Sequence, residues 1–285
     1  MSRAARLAVP AFVLIWSSGF VVARGIVDVA APNLFLAARF ALTALLFGGL
    51  ALGAGVAWPR GRAALHHMGA GALQQGVYLG AGYWAVANGV AAGVMSLMGA
   101  MQPLLTAVLA GPLLGERVTP RTWAGLLVGF AGVGLVVAPK FSGAGAIGLL
   151  PFAVGLLSIA GVTAGSLVQK MGLASVDLRA SVAVQNLGGA LTCALAALLL
   201  GERLWVPGPL LWGNLAYAVG VLSAGGATIF VWLLRRGEAA KATALIYLCP
   251  PLSALQAWAL FDETLSPIQL AGFGVAMAGV VLARR

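Results

Sequence analysis

Residues 101–135 read MQPLLTAVLAGPLLGERVTPRTWAGLLVGFAGVGL, and residues 248–282 read LCPPLSALQAWALFDETLSPIQLAGFGVAMAGVVL. The two segments align without a gap at an offset of 147 (248 − 101). Pro103/Pro250, Leu105/Leu252, Ala107/Ala254, Leu113/Leu260, Glu116/Glu263, Pro120/Pro267, Gly125/Gly272, Val128/Val275 and Gly132/Gly279 coincide. Carried outward, the same offset maps residues 1–138 onto 148–285 and leaves 139–147 as a connector. The chain reads as two copies of one unit.

Composition says what solvent that unit lives in. Of the 285 residues, 61% are hydrophobic and 8% charged, where a soluble chain carries about 25% charged residues. That is too few charges to cover a surface in water. The 40 glycines suit closely packed membrane helices. Apolar runs bounded by charges, Pro or Gly fall at 7–23, 33–53, 69–87, 91–114, 121–138, 147–169, 180–200, 210–234, 241–261 and 267–283. Most meet the roughly 17–25 residues needed to cross a bilayer. The expectation is an all-α membrane protein of ten transmembrane helices, five per unit. The thinnest division is the uncharged break Asn88–Gly93 between the third and fourth runs.

The formal charge of +10 comes from 17 Lys+Arg against 7 Asp+Glu. The bases stand singly or in pairs between apolar runs, so they do not form a nucleic-acid stripe. Thirteen fall on the side of the termini: Arg3, Arg6, Arg60, Arg62, Arg117, Arg121, Lys170, Arg179, Arg235, Arg236, Lys241, Arg284 and Arg285. Three (Arg24, Lys140, Arg203) fall on the other side, and Arg39 lies inside the second run. The positive-inside rule then predicts that both termini are cytoplasmic. Cys193 and Cys249 sit in apolar runs and suggest neither a disulfide nor a metal site.

Five spans are an odd number, so the second unit enters the membrane inverted relative to the first. Two similar inverted halves can exchange conformations, which is the geometric basis of alternating access. The plainer alternative is a repeat that only doubles a packing unit. The Pro-containing fourth span, the acid at Glu116, Pro120 and the Gly-rich fifth span recur as Pro250, Glu263, Pro267 and Gly272–Gly279. This pattern resembles the EamA-type repeat of the drug/metabolite transporter superfamily over essentially the whole chain. Within it, the opening Trp16-Ser17-Ser18-Gly19-Phe20 is similar to bacterial inner-membrane exporters of aromatic and other amino acids. The resemblance implies that spans one to four and six to nine form a basket around a central cavity, with spans five and ten peripheral. It also implies a multi-pass bacterial inner-membrane location and export of amino acids and analogues, with drugs or other small metabolites as the alternative.

Candidate working residues follow from polarity at depth. Pro103 and Pro250 lie a dozen residues into their spans and free the carbonyls of Gly99 and Ile246. They are expected to be hinges, or else plain packing bends. Met95, Met98, Gly99 and Gln102 share one face of the fourth span. Gln74, Gln75, Tyr78 and Tyr83 lie on the third, and Trp16 on the first. The second unit supplies Thr163, Gln185, Asn186, Thr228, Tyr247 and Gln256. Amides are costly in lipid and face the bundle interior, as pocket groups or as bridges between helices. Together these residues describe a substrate-binding cavity that is mostly apolar and aromatic with a few amides.

Arg39 is the only strong base well inside a span, six residues from Asn33 and so roughly 9 Å deep. No carboxylate lies at comparable depth in the sequence, so a substrate carboxylate is one expected partner. Snorkelling outward or capping carbonyls is the other reading. His66 and His67 fall in or near a terminal-side loop, which leaves no buried acid or His and predicts facilitated movement without proton exchange. No paired Asp, Ser–His dyad or His-rich motif appears at depth, so neither an enzyme, a cofactor nor a metal is expected. The small-residue faces of Gly125, Gly129, Gly132 and of Gly272, Ala276, Gly279 predict close helix packing, or less readily a dimer.

Overall fold

The computed structural model describes residues 3–102, 105–106, 108–109, 119–137, 148–170, 176–226, 229, 249–263 and 265–284. Among them every regular element is helical. In chain order these are α1 (Arg3–Ser17), α2 (Gly19–Gly25), α3 (Pro32–Gly53), α4 (Arg62–Gly71), a wide π-helical turn Ala72–Val77, α5 (Tyr78–Ala87) and α6 (Ala92–Gly99). There follow α7 (Pro120–Val137), α8 (Leu149–Lys170), α9 (Leu178–Leu199), α10 (Pro209–Tyr217), a second π-helical turn Ala218–Gly225, α11 (Cys249–Phe261) and α12 (Pro267–Arg284). Joined where the chain runs on without a loop, they make ten helical stretches. Of these, α3, α8 and α9 are individually long and apolar enough to cross a membrane.

Local chemistry sets the helix ends. Proline opens α3, α7, α10 and α12, where its fixed φ and missing N–H cost nothing. The α3 N-terminus is capped from the other half of the chain. The Glu202 carboxylate accepts from Asn33 N (2.8 Å), Asn33 Nδ2 (2.7 Å) and Leu34 N (3.2 Å). These satisfy orphan donors and place a negative charge at the positive end of the helix dipole. Asp177 caps α9 by accepting from Arg179 N at 2.9 Å. The break between the third and fourth stretches falls at Asn88–Ala91, within the expected interval, and Gly89 there takes a φ of 100° that disfavours side chains.

The surface is that of a protein in lipid. Leu45, Leu52 and Leu198 are 72%, 70% and 79% exposed, whereas Ser158 and Thr163 are buried and donate to backbone carbonyls. Apolar side chains outside and hydrogen-bonded polar ones inside are what a hydrocarbon solvent selects. At the centre α3 packs along α9; α4, its π turn and α5 pack on α8 and α9; α6 and α1 pack on α11. Helices α7 and α12 pack chiefly on each other. Their glycines permit this: a Cβ at Gly132 would collide with Ala276, and one at Gly279 with the Gly129 and Gly125 backbone. The small-residue faces thus meet within the chain.

One expectation is corrected. The third helix begins at Arg62, not near residue 69, so His66 and His67 lie on a helix and not in a loop. Two adjacent histidines and Arg62 hid the helix from a reading based on apolar runs. Yet the face that carries His67 packs against α9, and His67 is 2% exposed.

Candidate functional site

Two polar centres lie inside the bundle. The first surrounds Arg39, which is 7% exposed and therefore does not snorkel. Its guanidinium donates from Nη1 to the Tyr83 hydroxyl at 3.4 Å, and from Nε and Nη2 to Ser223 Oγ at 3.4 and 3.3 Å. All three bonds are long for a charged donor, whose usual range is about 2.7–2.9 Å. Among the described residues Arg39 has no ion pair. The Tyr83 hydroxyl spends its own proton on the Gly19 carbonyl at 2.8 Å, so its oxygen faces the guanidinium as an acceptor. Tyr83 stacks with Phe35 at 6.5 Å and lies 6.2 Å from Phe20, which meets Tyr78 edge-on at 5.8 Å. The second π turn carries Ser223 to this place.

The second centre lies nearer the ends of α4, α8 and α9. Gln169 Nε2 donates to Gln185 Oε1 (3.2 Å), Gln185 Nε2 donates to Ser181 Oγ (3.0 Å), and Ser181 Oγ lies 3.0 Å from His67 Nδ1. His67 Nε2, Gln74 Nε2 and Gln75 Oε1 are buried without a hydrogen-bond partner. Beside it, Gln102 Nε2 donates to Ser166 Oγ (2.9 Å) and Thr106 Oγ1 (3.2 Å). Burial holds the His67 imidazole below its ordinary pKa, with His66 adding to the effect.

The expected residues divide among these places. Arg39, Tyr83 and Tyr78 meet at the first centre, and Gln74, Gln75, Gln102 and Gln185 lie at the second. Gly99 approaches the Tyr78 hydroxyl; a Cβ there would lie 3.1 Å from it. Met95 and Met98 are buried and press on Gly155. Met98 and Thr163 also line an apolar side cavity of about 200 Å³ with Met101, Leu105, Phe130 and Leu156. Asn186 turns back on its own helix, donating to the Val182 carbonyl at 2.8 Å. Gln256 bridges to Ser17 Oγ at 3.0 Å, and Trp16 stands 51% exposed beside Phe12. Pro250 is buried on α11. Pro103, Thr228 and Tyr247 lie outside the described residues.

Sequence reasoning missed Ser181, Gln169 and His67 as one network. The i, i+4 spacing of Ser181 and Gln185 was a visible signal, but their meeting with His67 depends on how α4 docks. Within this network Ser181 Oγ and His67 Nδ1 join α9 to α4.

A helical bundle with lipid-facing leucines and an enclosed guanidinium defines a membrane protein built around an internal polar site. Residues 5–138 and 147–285 each match the EamA-like transporter family, and the chain belongs to that family. It is 28% identical over 276 residues to "Uncharacterized inner membrane transporter YedA" of Escherichia coli strain K12, covering 95% of this chain and 88% of that protein. The YedA proteins of strains CFT073 and O157:H7 match equally. A crystal structure of a protein 23% identical to this chain superposes with a TM-score of 0.66, covering 99% of this chain and 97% of that one. The fold is shared with it.

Proposed function

We propose that this protein is a secondary transporter of the bacterial inner membrane that exports amino acids, especially aromatic and apolar ones, and related metabolites by alternating access through a central cavity. The observation that carries the reading is Arg39: a buried cation whose hydrogen bonds among the described residues are long ones to neutral hydroxyls, with the Phe40 ring 5.4 Å from its guanidinium carbon. A substrate carboxylate would replace those bonds with short bidentate ones. Phe20, Phe35 and Tyr78 around Tyr83 offer an apolar and aromatic wall for a side chain.

Alternating access by two inverted halves, 1–138 and 148–285 with connector 139–147, is supported by the repeated family match and by the helices themselves. The two π turns begin at 72 and 218, 146 residues apart (218 − 72) and so one residue from the sequence offset. Such turns loosen a helix where it must bend. With Pro103 and Pro250 as further hinges, they give each half a place to flex. The basic-residue asymmetry supports cytoplasmic termini. A phosphate-bearing substrate would call for several bases, and Arg39 stands alone among them at depth.

Purified protein in proteoliposomes, given a panel of radiolabelled amino acids, tests this reading. Saturable uptake with accelerated exchange is the expected result. Unsaturable flux, or equal handling of amino acids and their decarboxylated amines, would overturn it.

A further inference from the structure

The network at the second centre has a direction. Ser181 Oγ already accepts a proton from Gln185 Nε2. Its own hydroxyl proton is therefore free to go to His67 Nδ1, 3.0 Å away. In the tautomer in which Ser181 donates, Nδ1 is the acceptor of a neutral ring and the ring proton sits on Nε2, which is buried without a partner among the described residues. A second ring proton would have to enter at Nδ1. Nδ1 would then be a donor aimed at the Ser181 hydroxyl, whose proton would lose its acceptor. The imidazolium would also be a buried charge with no ion pair among the described residues.

Helices α4 and α9 meet closely beside this site. On the α4 side of the seam, a Cβ at Gly71 would fall on the Gln185 carbonyl; on the α9 side, one at Gly188 would fall on the Met68 carbonyl. Met68 and Gly71 both follow His67 along α4, so backbone meets backbone just beyond it in the chain. Gly165 of α8 likewise fits against Gln74. The charged groups nearby are few. His66 and Arg62 stand exposed on α4 itself. On α9, Arg179 is bound by Asp177 at 3.0 Å through both Nε and Nη2. The π turn Ala72–Val77 carries no titratable residue, and the Lys170 side chain on α8 lies outside the described residues.

We propose that His67 is a proton-binding site coupled to the seam between α4 and α9: neutral His67 locks the seam, and protonated His67 requires the two helices to part. The proposal rests on the transporter reading for its purpose, because this seam would be one of the two gates of alternating access. The proton arrives from and returns to the face that carries α4 and the chain termini. It therefore biases the gate without being carried across the membrane. Such a site is compatible with facilitated movement without proton exchange, and adds a pH response to it.

The sign follows from linkage. The parted seam binds the proton with ordinary His affinity, near pH 6.5, and the closed seam binds it less tightly. Acidification therefore favours parting. Between pH 7.5 and 5.5 the ratio of parted to closed protein should rise about tenfold.

The experiment uses the full chain in nanodiscs with spin labels at L65C and L178C. Both parent side chains are exposed, at 69% and 41%, at the same ends of α4 and α9. The buried Cys193 and Cys249 are replaced by alanine. Pulsed dipolar spectroscopy should show the longer-distance population growing as pH falls. The response should vanish in H67Q, persist in H66Q and shrink in S181A, which removes the bond specific to the neutral ring. In ¹⁵N-histidine-labelled H66Q the single remaining imidazole should titrate together with the distance change. A response that survives in H67Q, or an imidazole that titrates while the distance stays fixed, would overturn the proposal. The measurement needs no substrate, so it stands or falls separately from flux assays with phenylalanine.

Discussion

Replacing Arg39 with methionine separates a substrate-binding role from a structural one. The side chain is 7% exposed, and its three bonds run at 3.3–3.4 Å to the hydroxyls of Tyr83 and Ser223. Bonds this long to neutral groups return little of the cost of burying a cation. Methionine fills a similar volume without charge, so R39M should melt in detergent at the same temperature as the parent or higher. Binding is a different matter. A charge-assisted hydrogen bond contributes about 1.5–3 kcal/mol, so losing the carboxylate partner should weaken phenylalanine binding roughly 10- to 150-fold. Phenethylamine, which has no carboxylate, should bind parent and R39M alike. Isothermal titration of both ligands against both proteins, alongside thermal melts, gives the four numbers needed. Unchanged phenylalanine affinity in R39M would refute the reasoning. So would a loss of affinity equal for both ligands, accompanied by a collapse of the melting temperature.

Three further outcomes follow from other contacts. Y83F removes the buried donor to the Gly19 carbonyl, which should cost about 1–3 kcal/mol in a reversible unfolding assay. E202A strips three hydrogen bonds from the start of α3 and should cost about 1–2 kcal/mol, visible as a lower melting temperature, with faster amide exchange at Asn33 and Leu34. G132L should destabilise by about 1–3 kcal/mol because its side chain would meet the Ala276 backbone. G134L two residues on, where nothing lies within 4 Å, should leave the melting temperature unchanged.

Much of the helix layout was legible because a bilayer imposes a length. Runs such as 33–53 and 180–200 correspond closely to α3 (Pro32–Gly53) and α9 (Leu178–Leu199), since charges and prolines mark where the hydrocarbon ends. The start of the third helix escaped because Arg62, His66 and His67 interrupt the apolar run there. Its apolar contacts are made by one narrow face, and averaging over a run erases a face. The depth of Arg39 was legible for the complementary reason: a charge in an apolar run is conspicuous by itself. Its partners were not. Ser223 comes from a helix 184 positions away, and it reaches Arg39 from a π turn that hydropathy does not mark.

The same contrast explains why His67 went unread while Arg39 did not. Arg39 is permanently charged, so its place in an apolar run implies a partner wherever the chain goes. A histidine implies nothing until its surroundings choose its charge. Those surroundings are Ser181, which meets the ring at Nδ1, Gln185, which bonds Ser181, and Gly71 and Gly188, whose missing side chains let α4 and α9 meet beside it. None of the four is informative alone. Only the docking of α4 on α9 converts two glycines, an amide and a hydroxyl into a site that excludes a proton while it is shut. A charge the protein always carries can be located by composition, whereas one it can gain or lose is set by packing.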